Sequence, residues 1–384
     1  MEELRKFVAP EFLFGYGARH EVCQYAANFG VSRALVVSDR GVQEAGWTGQ
    51  VIKTLRQGRV TAIPFVGVTP NPRDTEVHAG LAVYQTEKCN GVVAVGGGSV
   101  LDCAKGIAIL ATNGGSIHEY EGVDMIDAPC PPLICVATTA GSAADVSQFA
   151  IITDTRRKVK MAIISKALVP DVALIDPETT ITMDATLTAH TALDALTHAF
   201  EAGVSNAAAP ITDLMAISAV SRVRRYLLPV LQSLQDREGR KELMQACLEA
   251  GLAFSNASLG AVHAMAHALG GLSDQAHGEC NALLLPYVVK RNLPSAPVAY
   301  RRLAEAFGCR LVPQASHEQL TETLLGELES FIGSCGVKTR LQELNLERSC
   351  IPDLAAVAAA DPCLITNPAL LTEADLAALY EAAF

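Results

Sequence analysis

The stretch GVVAVGGGSVLDCAKG, from Gly91 to Gly106, joins a short apolar run to a helix-like segment through three glycines. The β-branched run predicts a buried strand that ends in Gly96–Ser99, where the helix VLDCAKGIAIL begins. Glycines let the backbone approach a ligand closely, and a helix N-terminus offers unpaired N–H groups and a positive dipole end. The turn suits a pyrophosphate, but its spacing is not GxGxxG, and a plain tight turn is the commoner interpretation of such a run.

The segments around this stretch predict the fold of the first half. Further apolar runs occupy Ala34–Asp39, Val60–Val68 and Pro131–Thr139, with helix-like segments such as RDTEVHAGLAVYQTEK between them. Continuous apolar strands that alternate with helices predict a Rossmann-like parallel sheet covered on both faces. Two strands around a charged turn, FAIITDTRRKVKMAIIS, predict a hairpin with the basic residues at its tip.

The second half of the chain has a different pattern. From about Thr186 onwards, Ala- and Leu-rich segments carry apolar residues at spacings of three and four, and strand signals nearly vanish. This periodicity predicts helices. We therefore predict an α/β nucleotide-binding domain over residues 1–183 and an all-α domain over residues 184–384, with the boundary near Pro177–Met183.

Composition limits the classes of protein that the chain can belong to. Half of its 384 residues are apolar, and its net charge of −11 disfavours nucleic acid as the main partner. Eleven cysteines in no regular spacing indicate reduced thiols rather than a disulfide framework. A charged N-terminus and the lack of an apolar run of roughly 18 residues predict a soluble, cytoplasmic protein that does not enter a membrane.

Polar side chains follow several of the predicted strands. Asp39 ends the first strong strand, where a carboxylate can accept both ribose hydroxyls of an adenosine and would repel a 2′-phosphate. A helix N-cap is an equally common role for such an aspartate. Thr138, Thr139 and Ser142 follow another strand, and their hydroxyls could reach the same ligand. Ligands of such sheets bind beyond the carboxyl ends of the strands, so these residues are candidates for one cofactor site.

Two helical segments each carry a pair of ionisable residues four positions apart. Asp194 and His198 share one helix face, and His263 and His267 share another, in a helix predicted to end at Gly270-Gly271. His277 follows in a predicted loop. Either these are polar residues that face other helices, or a metal ion offsets the several kcal/mol that burying them costs. One carboxylate with imidazoles would suit Fe(II) or Zn(II).

Several motifs together resemble those of the iron-containing (group III) alcohol dehydrogenases, in the same order and over nearly the whole chain. They are FGYGA at Phe14–Ala18, GGGSVLDCAK at Gly96–Lys105, KMAIIS…VPDVALIDPE, LDALTHAFEA and VHAMAHALGG…HGECNALLLP. The resemblance implies a metal-dependent oxidoreductase that transfers a hydride between NAD(H) and a small primary alcohol or aldehyde. It also implies an iron site in the cleft between two domains, and a homodimer.

Residue roles are also implied by this resemblance. The metal ligands would be Asp194, His198, His263 and His277, with His267 as a further active-site histidine close to the substrate. The cofactor residues would be Asp39, Asn71, Gly97, Gly98, Ser99, Asp102, Thr138, Thr139, Ser142 and Lys160.

The chain departs from the family pattern near the cofactor residues. It has TTAGSAAD at Thr138–Asp145 where the family usually has TTAGTGSE. His190 and Ala192 stand where a small residue and a glycine are common, and Gly203 replaces a usual aromatic residue. The predicted ligands are unaffected, but cofactor affinity and substrate shape are open.

Three alternatives remain at this stage. A glycerol or polyol dehydrogenase would carry the same motifs. A slow-turnover sensor or regulatory protein could keep the NAD and metal sites, as the TTAGSAAD departure allows. A lyase resembling dehydroquinate synthase would need several basic residues for its anionic substrate, and LTAHTALDALTHAFEAG contains no lysine or arginine.

Overall fold

A computed structural model describes residues 6–312 and 314–384, which divide into two compact units. The first is Val8–Thr182, and the second is Met183–Phe384 together with the described residues Lys6 and Phe7. The strands of the first unit are β1 (Glu11–Phe14), β2 (Arg33–Asp39), β3 (Thr61–Val68), β4 (Gly91–Gly96), β5 (Gly122–Val123), β6 (Leu133–Ala137), β7 (Phe149–Asp154), β8 (Val159–Ile164) and β9 (Val172–Ile175). Its helices are α1 (Val22–Asn28), α2 (Arg40–Glu44), α3 (Trp47–Gln57), α4 (Asp74–Thr86) and α5 (Gly98–Asn113).

The described part of the second unit is helical. It contains α6 (Ala185–Val204), α7 (Pro210–Gln232), α8 (Arg237–Ala257), α9 (Ala261–Ser273), α10 (His277–Asn292), α11 (Pro297–Ala306), α12 (His317–Ser334), α13 (Ile351–Ala359) and α14 (Glu373–Ala383). Among the helices described in either unit, none has both the length and the apolar character that crossing a membrane requires.

A six-stranded parallel sheet in the order β1-β9-β6-β4-β2-β3 forms the centre of the first unit. Successive residues of β2 enter different cores. Leu35 and Val37 pack on the face that α4 and α5 cover, whereas Ala34 and Val36 pack on the face that α1 and α3 cover. Because both faces are buried, the strands are apolar throughout instead of alternating with polar residues. The predicted parallel sheet is confirmed.

The glycine run lies at the carboxyl end of this sheet. β4 ends at Gly96 and α5 begins at Gly98, as predicted, with Gly97 in the N-cap position. No side chain of the described residues caps this helix end. Gly96 is paired with Ala137 at the end of β6, so Thr138 and Thr139 leave the sheet directly beside the glycine run. The fold thereby brings the two predicted cofactor segments together.

The second sheet of this unit has the order β5-β8-β7 and contains the predicted hairpin. β7 and β8 are antiparallel, with Asp154 opposite Val159 at their end. The Asp154 carboxylate accepts hydrogen bonds from the backbone N–H groups of Arg156 (2.8 Å) and Arg157 (3.0 Å), which orders the basic tip. Lys160 lies on β8 itself, opposite Thr153, and is therefore not part of the tip.

A buried lysine fastens α5 to the hairpin. The Lys105 ammonium donates to the carbonyl oxygens of Ser147 (2.9 Å) and Phe149 (2.7 Å). Burial lowers the pKa of Lys105, although the Asp102 and Asp145 carboxyls raise it in part. Burial also raises the pKa of Asp102 and of Asp145 to about 6. The helix that follows the glycine run is thus held by a buried ionisable network as well as by apolar packing.

Two sequence predictions about the helical unit are wrong. The helix that carries His263 does not end at Gly270-Gly271: α9 continues to Ser273, and Asp274 follows in the left-handed region at φ +54°. Glycine within a helix costs only about 1 kcal/mol, which packing can outweigh, and aspartate tolerates the left-handed conformation. His277 does not lie in a loop, because it is the first residue of α10.

Candidate active site

Three imidazoles of the helical unit converge on one carboxylate oxygen. The Nε2 atoms of His198, His263 and His277 each lie 3.8 Å from Asp194 Oδ1. Ligating atoms of Asp194, His263 and His277 all lie within 4.8 Å of one another. A shared ion with bonds of about 2.0–2.2 Å would need these atoms slightly closer together, so only small movements separate the cluster from a binding geometry.

Three helices place these side chains. Asp194 and His198 project from one face of α6, His263 projects from α9, and His277 begins α10. Ring packing fixes the imidazoles: His198 lies between Phe254, with ring centroids 4.3 Å apart, and His263, with centroids 4.6 Å apart. The ligand atoms are therefore set by a packed interior rather than by mobile loops.

A second carboxylate orients His263. Glu201, one turn beyond His198 on α6, is buried and lies 2.5 Å from His263 Nδ1 through its Oε2 atom. Its Oε1 atom accepts the backbone N–H of Val262 at 2.6 Å. With Nδ1–H donated to Glu201, the Nε2 lone pair of His263 is left for the side that faces Asp194. This arrangement is the usual one behind a metal-ligating histidine.

The charges of the cluster favour a cation. Burial raises the pKa of Asp194, but the imidazoles of His198 and His277 lower it by more, so the carboxyl is strongly acidic. Burial lowers the pKa of His263, but the carboxylates of Glu201 and Asp194 raise it by more, to about 9. Two buried carboxylates thus stabilise positive charge at this point, whether on imidazolium or on a bound metal ion.

His267 lies beside the cluster and has a carboxylate of its own. Its Nδ1 is 2.8 Å from Asp361 Oδ2, and its ring stacks on His277 with centroids 5.3 Å apart. Burial raises the pKa of Asp361, but His267 lowers it by more, to about 2. Asp361 is held in turn by the backbone N–H of Cys363, which donates to Oδ1 at 2.8 Å. Asp361 therefore fixes the ring of His267 with Nε2 directed away from it.

The residues present fit a divalent metal ion. One carboxylate and three imidazoles form a donor set that Fe(II) and Zn(II) accept. In addition, Asn281 is fully buried against the ligands, and its Oδ1 has no hydrogen-bond partner among the described residues. A buried carbonyl oxygen without a partner costs about 1–3 kcal/mol, and a cation among the ligands would reduce that cost once a half-turn of the amide directs the oxygen towards them.

The glycine run and the segment after β6 are in close contact in the α/β unit. A Cβ on Gly98 would lie 2.7 Å from Ser142 Oγ, and one on Gly97 would lie 3.0 Å from Thr139 Cγ2. Only glycine allows the hydroxyl-bearing side chains to approach the start of α5 so closely. The result is a helix N-terminus, with Ser99 in its first turn, flanked by two hydroxyl groups, which suits a phosphate group.

The other predicted cofactor residues lie in four places. Lys160 Nζ donates to Asn71 Oδ1 at 2.8 Å, so these two residues form one pair. Asp39, at the end of β2, accepts the backbone N–H of Val42 at 2.8 Å and so is also the N-cap of α2. Asp102 accepts the backbone N–H of Ile151 at 3.1 Å. The buried Thr138 stays close to β4, where its N–H donates to the Gly96 carbonyl at 3.0 Å.

Comparison with known proteins identifies the family. Residues 9–177 match the family described as iron-containing alcohol dehydrogenase, and residues 188–384 match the C-terminal region of the Fe-containing alcohol dehydrogenase family. The chain belongs to the iron-containing alcohol dehydrogenases. It is 40% identical to alcohol dehydrogenase 4 of Schizosaccharomyces pombe, covering 98% of this chain and 88% of that protein.

Two further similarities agree with this assignment. The NAD-dependent methanol dehydrogenase of Bacillus methanolicus is 35% identical, with 98% of each chain covered. A crystal structure of a 1,3-propanediol oxidoreductase superposes with a TM-score of 0.96 at 37% identity and covers 100% of both chains. Iron-containing alcohol dehydrogenases depend on NAD(H) and bind iron, and the chain is accordingly an alcohol oxidoreductase with these cofactors.

One departure from the family pattern has a structural consequence. Ala143 stands where the resemblance leads one to expect glycine, and its φ is +49°, in the left-handed region. A side chain in this conformation costs about 1–2 kcal/mol. We expect Ala143→Gly to raise the free energy of unfolding by about 0.5–1 kcal/mol, because relief of strain exceeds the entropy cost of glycine. Urea denaturation of both proteins measures this, and a destabilised variant would contradict it.

The close approach at Gly98 leads to a prediction for this iron-containing alcohol dehydrogenase. Gly98→Ala pushes the side chain of Ser142 away from the start of α5, so we expect the Kd for NAD to rise at least about tenfold, or roughly 1.4 kcal/mol. Titration calorimetry measures the affinity. Gly49→Ala is the matched control, because a Cβ there meets nothing within 4 Å on α3, and its Kd should stay within about twofold. Equal affinities for both variants would contradict the prediction.

Three residues of the site were missed in the sequence. Glu201 lies within the motif LDALTHAFEA, and its position three residues after His198 in an apolar helix was the available signal. Asn281 follows His277 by one helical turn, which placed it on the same face. Asp361 had no local signal, because it lies 94 positions away from His267.

Proposed function

We propose that this enzyme oxidises small primary alcohols with NAD and reduces the corresponding aldehydes, using a divalent iron held by Asp194, His198, His263 and His277. The observation that carries the proposal is the convergence of three imidazole Nε2 atoms at 3.8 Å from Asp194 Oδ1. Zn(II) accepts the same donor set and is the second candidate.

The bound metal ion supplies a Lewis acid that favours the alkoxide form of the alcohol. Residues that contact the ligand imidazoles hold them in the orientation that metal binding requires. Glu201 holds His263 in the tautomer with a free Nε2 lone pair, and the ring of Phe254 packs on His198. Both interactions keep the imidazoles in place, and the hydrogen bond to Glu201 also raises the basicity of His263 as a ligand.

His267 is proposed to move the proton that the alcohol loses. Its Nδ1 is engaged by Asp361 at 2.8 Å, so Nε2 is the nitrogen that accepts a proton from the substrate side. The strongly acidic Asp361 stabilises the imidazolium that results, and His267 then releases the proton to solvent. Asp361 acts here by orienting His267 and does not itself take the proton.

The α/β unit is proposed to bind NAD through the residues that its strand ends present. The start of α5, with Gly97, Gly98 and Ser99, would receive the pyrophosphate beside Thr139 and Ser142. Asp39 would accept the adenosine ribose hydroxyls, which favours NAD over NADP. The Lys160–Asn71 pair, Asp102 and Thr138 would line the remainder of the cofactor. The contacts at Gly97 and Gly98 are the main structural support for this assignment.

A small substrate agrees with the packing around the ligands. Phe254 is buried against His198, and we propose that its ring limits the room for a bulky alcohol beside the ligands. The similarity to proteins named for methanol and 1,3-propanediol points to short alcohols and diols. A polyol dehydrogenase is the closest competing activity within this proposal.

A steady-state assay tests the proposed function. The protein, loaded with Fe(II) without air and separately with Zn(II), is assayed with NAD and methanol, ethanol, 1-butanol, 1,3-propanediol and glycerol, together with elemental analysis. We expect turnover with short primary alcohols and a dependence on bound metal. Tight NAD binding without turnover of any alcohol or aldehyde would favour the sensor alternative, and a preference for glycerol would favour a polyol dehydrogenase.

We also propose a cytosolic homodimer. β1 is an edge of the six-stranded sheet among the described residues, and Phe12 (41%) and Leu13 (37%) on it are exposed. An edge strand with exposed apolar side chains can pair with a second copy. The cysteines of the described residues are all free thiols, which suits a reducing compartment. Light scattering of the purified protein measures the oligomeric state.

A further inference from the structure

Asn281 faces three of the four proposed metal ligands at once. Its Nδ2 lies 2.7 Å from Asp194 Oδ1, 3.1 Å from His263 Nε2 and 3.2 Å from His277 Nε2. The residue is fully buried and lies one turn after His277 on α10.

Neither end of the Asn281 amide has a full set of matching hydrogen-bond partners. An amide nitrogen has two hydrogens to donate, and here it lies against three atoms, one carboxylate oxygen and two imidazole nitrogens. The amide oxygen on the other side is buried and has no partner among the described residues. Leaving such an oxygen without a partner costs about 1–3 kcal/mol.

A half-turn of the amide exchanges its oxygen and nitrogen and moves no other heavy atom. The oxygen would then face the atoms of Asp194, His263 and His277, where repulsion between acceptors disfavours it unless a cation lies among them. With a metal ion held by these ligands, the imidazole lone pairs would be engaged by the ion and would not accept hydrogen bonds from Asn281. Metal binding would therefore favour the reversed orientation of the amide.

We propose that Asn281 is a fifth residue of the metal site, and that its side-chain oxygen turns towards the cation and helps to retain it. This inference rests on the proposed function, because it presupposes that the four ligands hold a divalent ion. Amide oxygens are weaker donors than carboxylates, so Asn281 tunes retention of the ion without adding a negative charge.

Metal release distinguishes this role from a structural one. Co(II)-loaded protein is mixed with excess chelator, and release is followed by absorbance without any assay of activity. Asn281→Leu keeps the volume but removes the oxygen, and we expect release at least about tenfold faster, which corresponds to roughly 1.4 kcal/mol. Asn281→Asp keeps an oxygen in place, and we expect release no faster than from the unaltered protein. The Co(II) absorption spectrum should change in Asn281→Leu.

Asn292→Leu is the matched control. Asn292 is buried on the same helix, and its amide exchanges hydrogen bonds of 2.8 and 2.9 Å with Asn367. We expect its release rate to stay within about twofold of the unaltered protein. If Asn281→Leu does not fold, as judged by circular dichroism, Asn281→Ser serves instead.

Two results would overturn the inference about Asn281. One is release from the Leu and unaltered proteins within about twofold of each other. The other is release from the Asp variant as fast as from the Leu variant, which would assign the effect to the amide N–H groups. Failure of the unaltered protein to hold a divalent ion would instead contradict the proposed function.

Discussion

Replacing His263 by alanine is expected to abolish both metal retention and turnover. His263 supplies one of the four converging ligand atoms, and it alone among them is held by Glu201. Changes to residues behind metal ligands typically cost 10–100-fold in metal affinity, so loss of the ligand itself should exceed about 100-fold. Elemental analysis of protein purified without air, with a steady-state assay on the same sample, measures both effects.

The substitution also leaves the Glu201 carboxylate buried without its imidazole partner. Removal of one partner of a buried charged pair costs about 3–5 kcal/mol, so thermal unfolding must be measured alongside. Glu201→Gln is the graded control, because it keeps an acceptor oxygen near Nδ1 but removes the charge, and we expect an intermediate loss of metal affinity. Activity at the unaltered level in a His263→Ala protein shown to be metal-free would refute the ligand role.

His267→Ala is expected to keep the metal and to lose catalytic rate. His267 stacks on His277 but directs Nδ1 to Asp361 and not to Asp194, so its loss leaves the four ligand atoms in place. A positioned acid–base group typically contributes about 10²–10⁴-fold, and we expect kcat to fall within that range. Single-turnover measurement of NADH formation, together with metal content, separates hydride and proton transfer from binding.

Asp361→Asn provides a second test of the same assignment. It keeps the shape of the carboxyl group but weakens the hold on His267, so we expect a smaller loss of rate than in His267→Ala and no loss of metal. His317→Ala, at an exposed position on α12, should leave rate and metal content unchanged. Metal loss in His267→Ala would show that His267 belongs to the first coordination shell and that the proposed ligand set is wrong.

Local periodicity explains which parts of the fold and the site were predictable. A spacing of four places Asp194 and His198 on one helix face whatever the tertiary structure, and continuous apolar runs indicate strands buried on both sides. The glycine run predicted the β4–α5 turn for the same local reason. The grouping of three helices around Asp194 came from the family resemblance, since no spacing in the sequence relates α6 to α9 and α10.

The features that were missed depend on contacts between distant segments. Asp361 meets His267 only because the 3₁₀ turn that follows α13 packs against α9, and a single aspartate in the sequence does not reveal this. The end of α9 depends on packing around Gly270, which outweighs the weak helix propensity of glycine. β1 is only four residues long and its residues are exposed or half-buried, so it lacks the longer apolar run that marks the central strands β2, β4 and β6.

The position of Asp39 has a consequence for redesign of coenzyme preference. Its side-chain oxygen accepts a hydrogen bond from the backbone N–H of Val42, three residues later. Its structural role is therefore that of the N-cap of the five-residue helix α2. Serine and asparagine cap a helix about as well as aspartate, and threonine does so somewhat less well, all without a negative charge. If Asp39 binds the adenosine ribose as proposed, a small library restricted to these residues would admit a phosphorylated ribose and leave the Rossmann-like scaffold undisturbed.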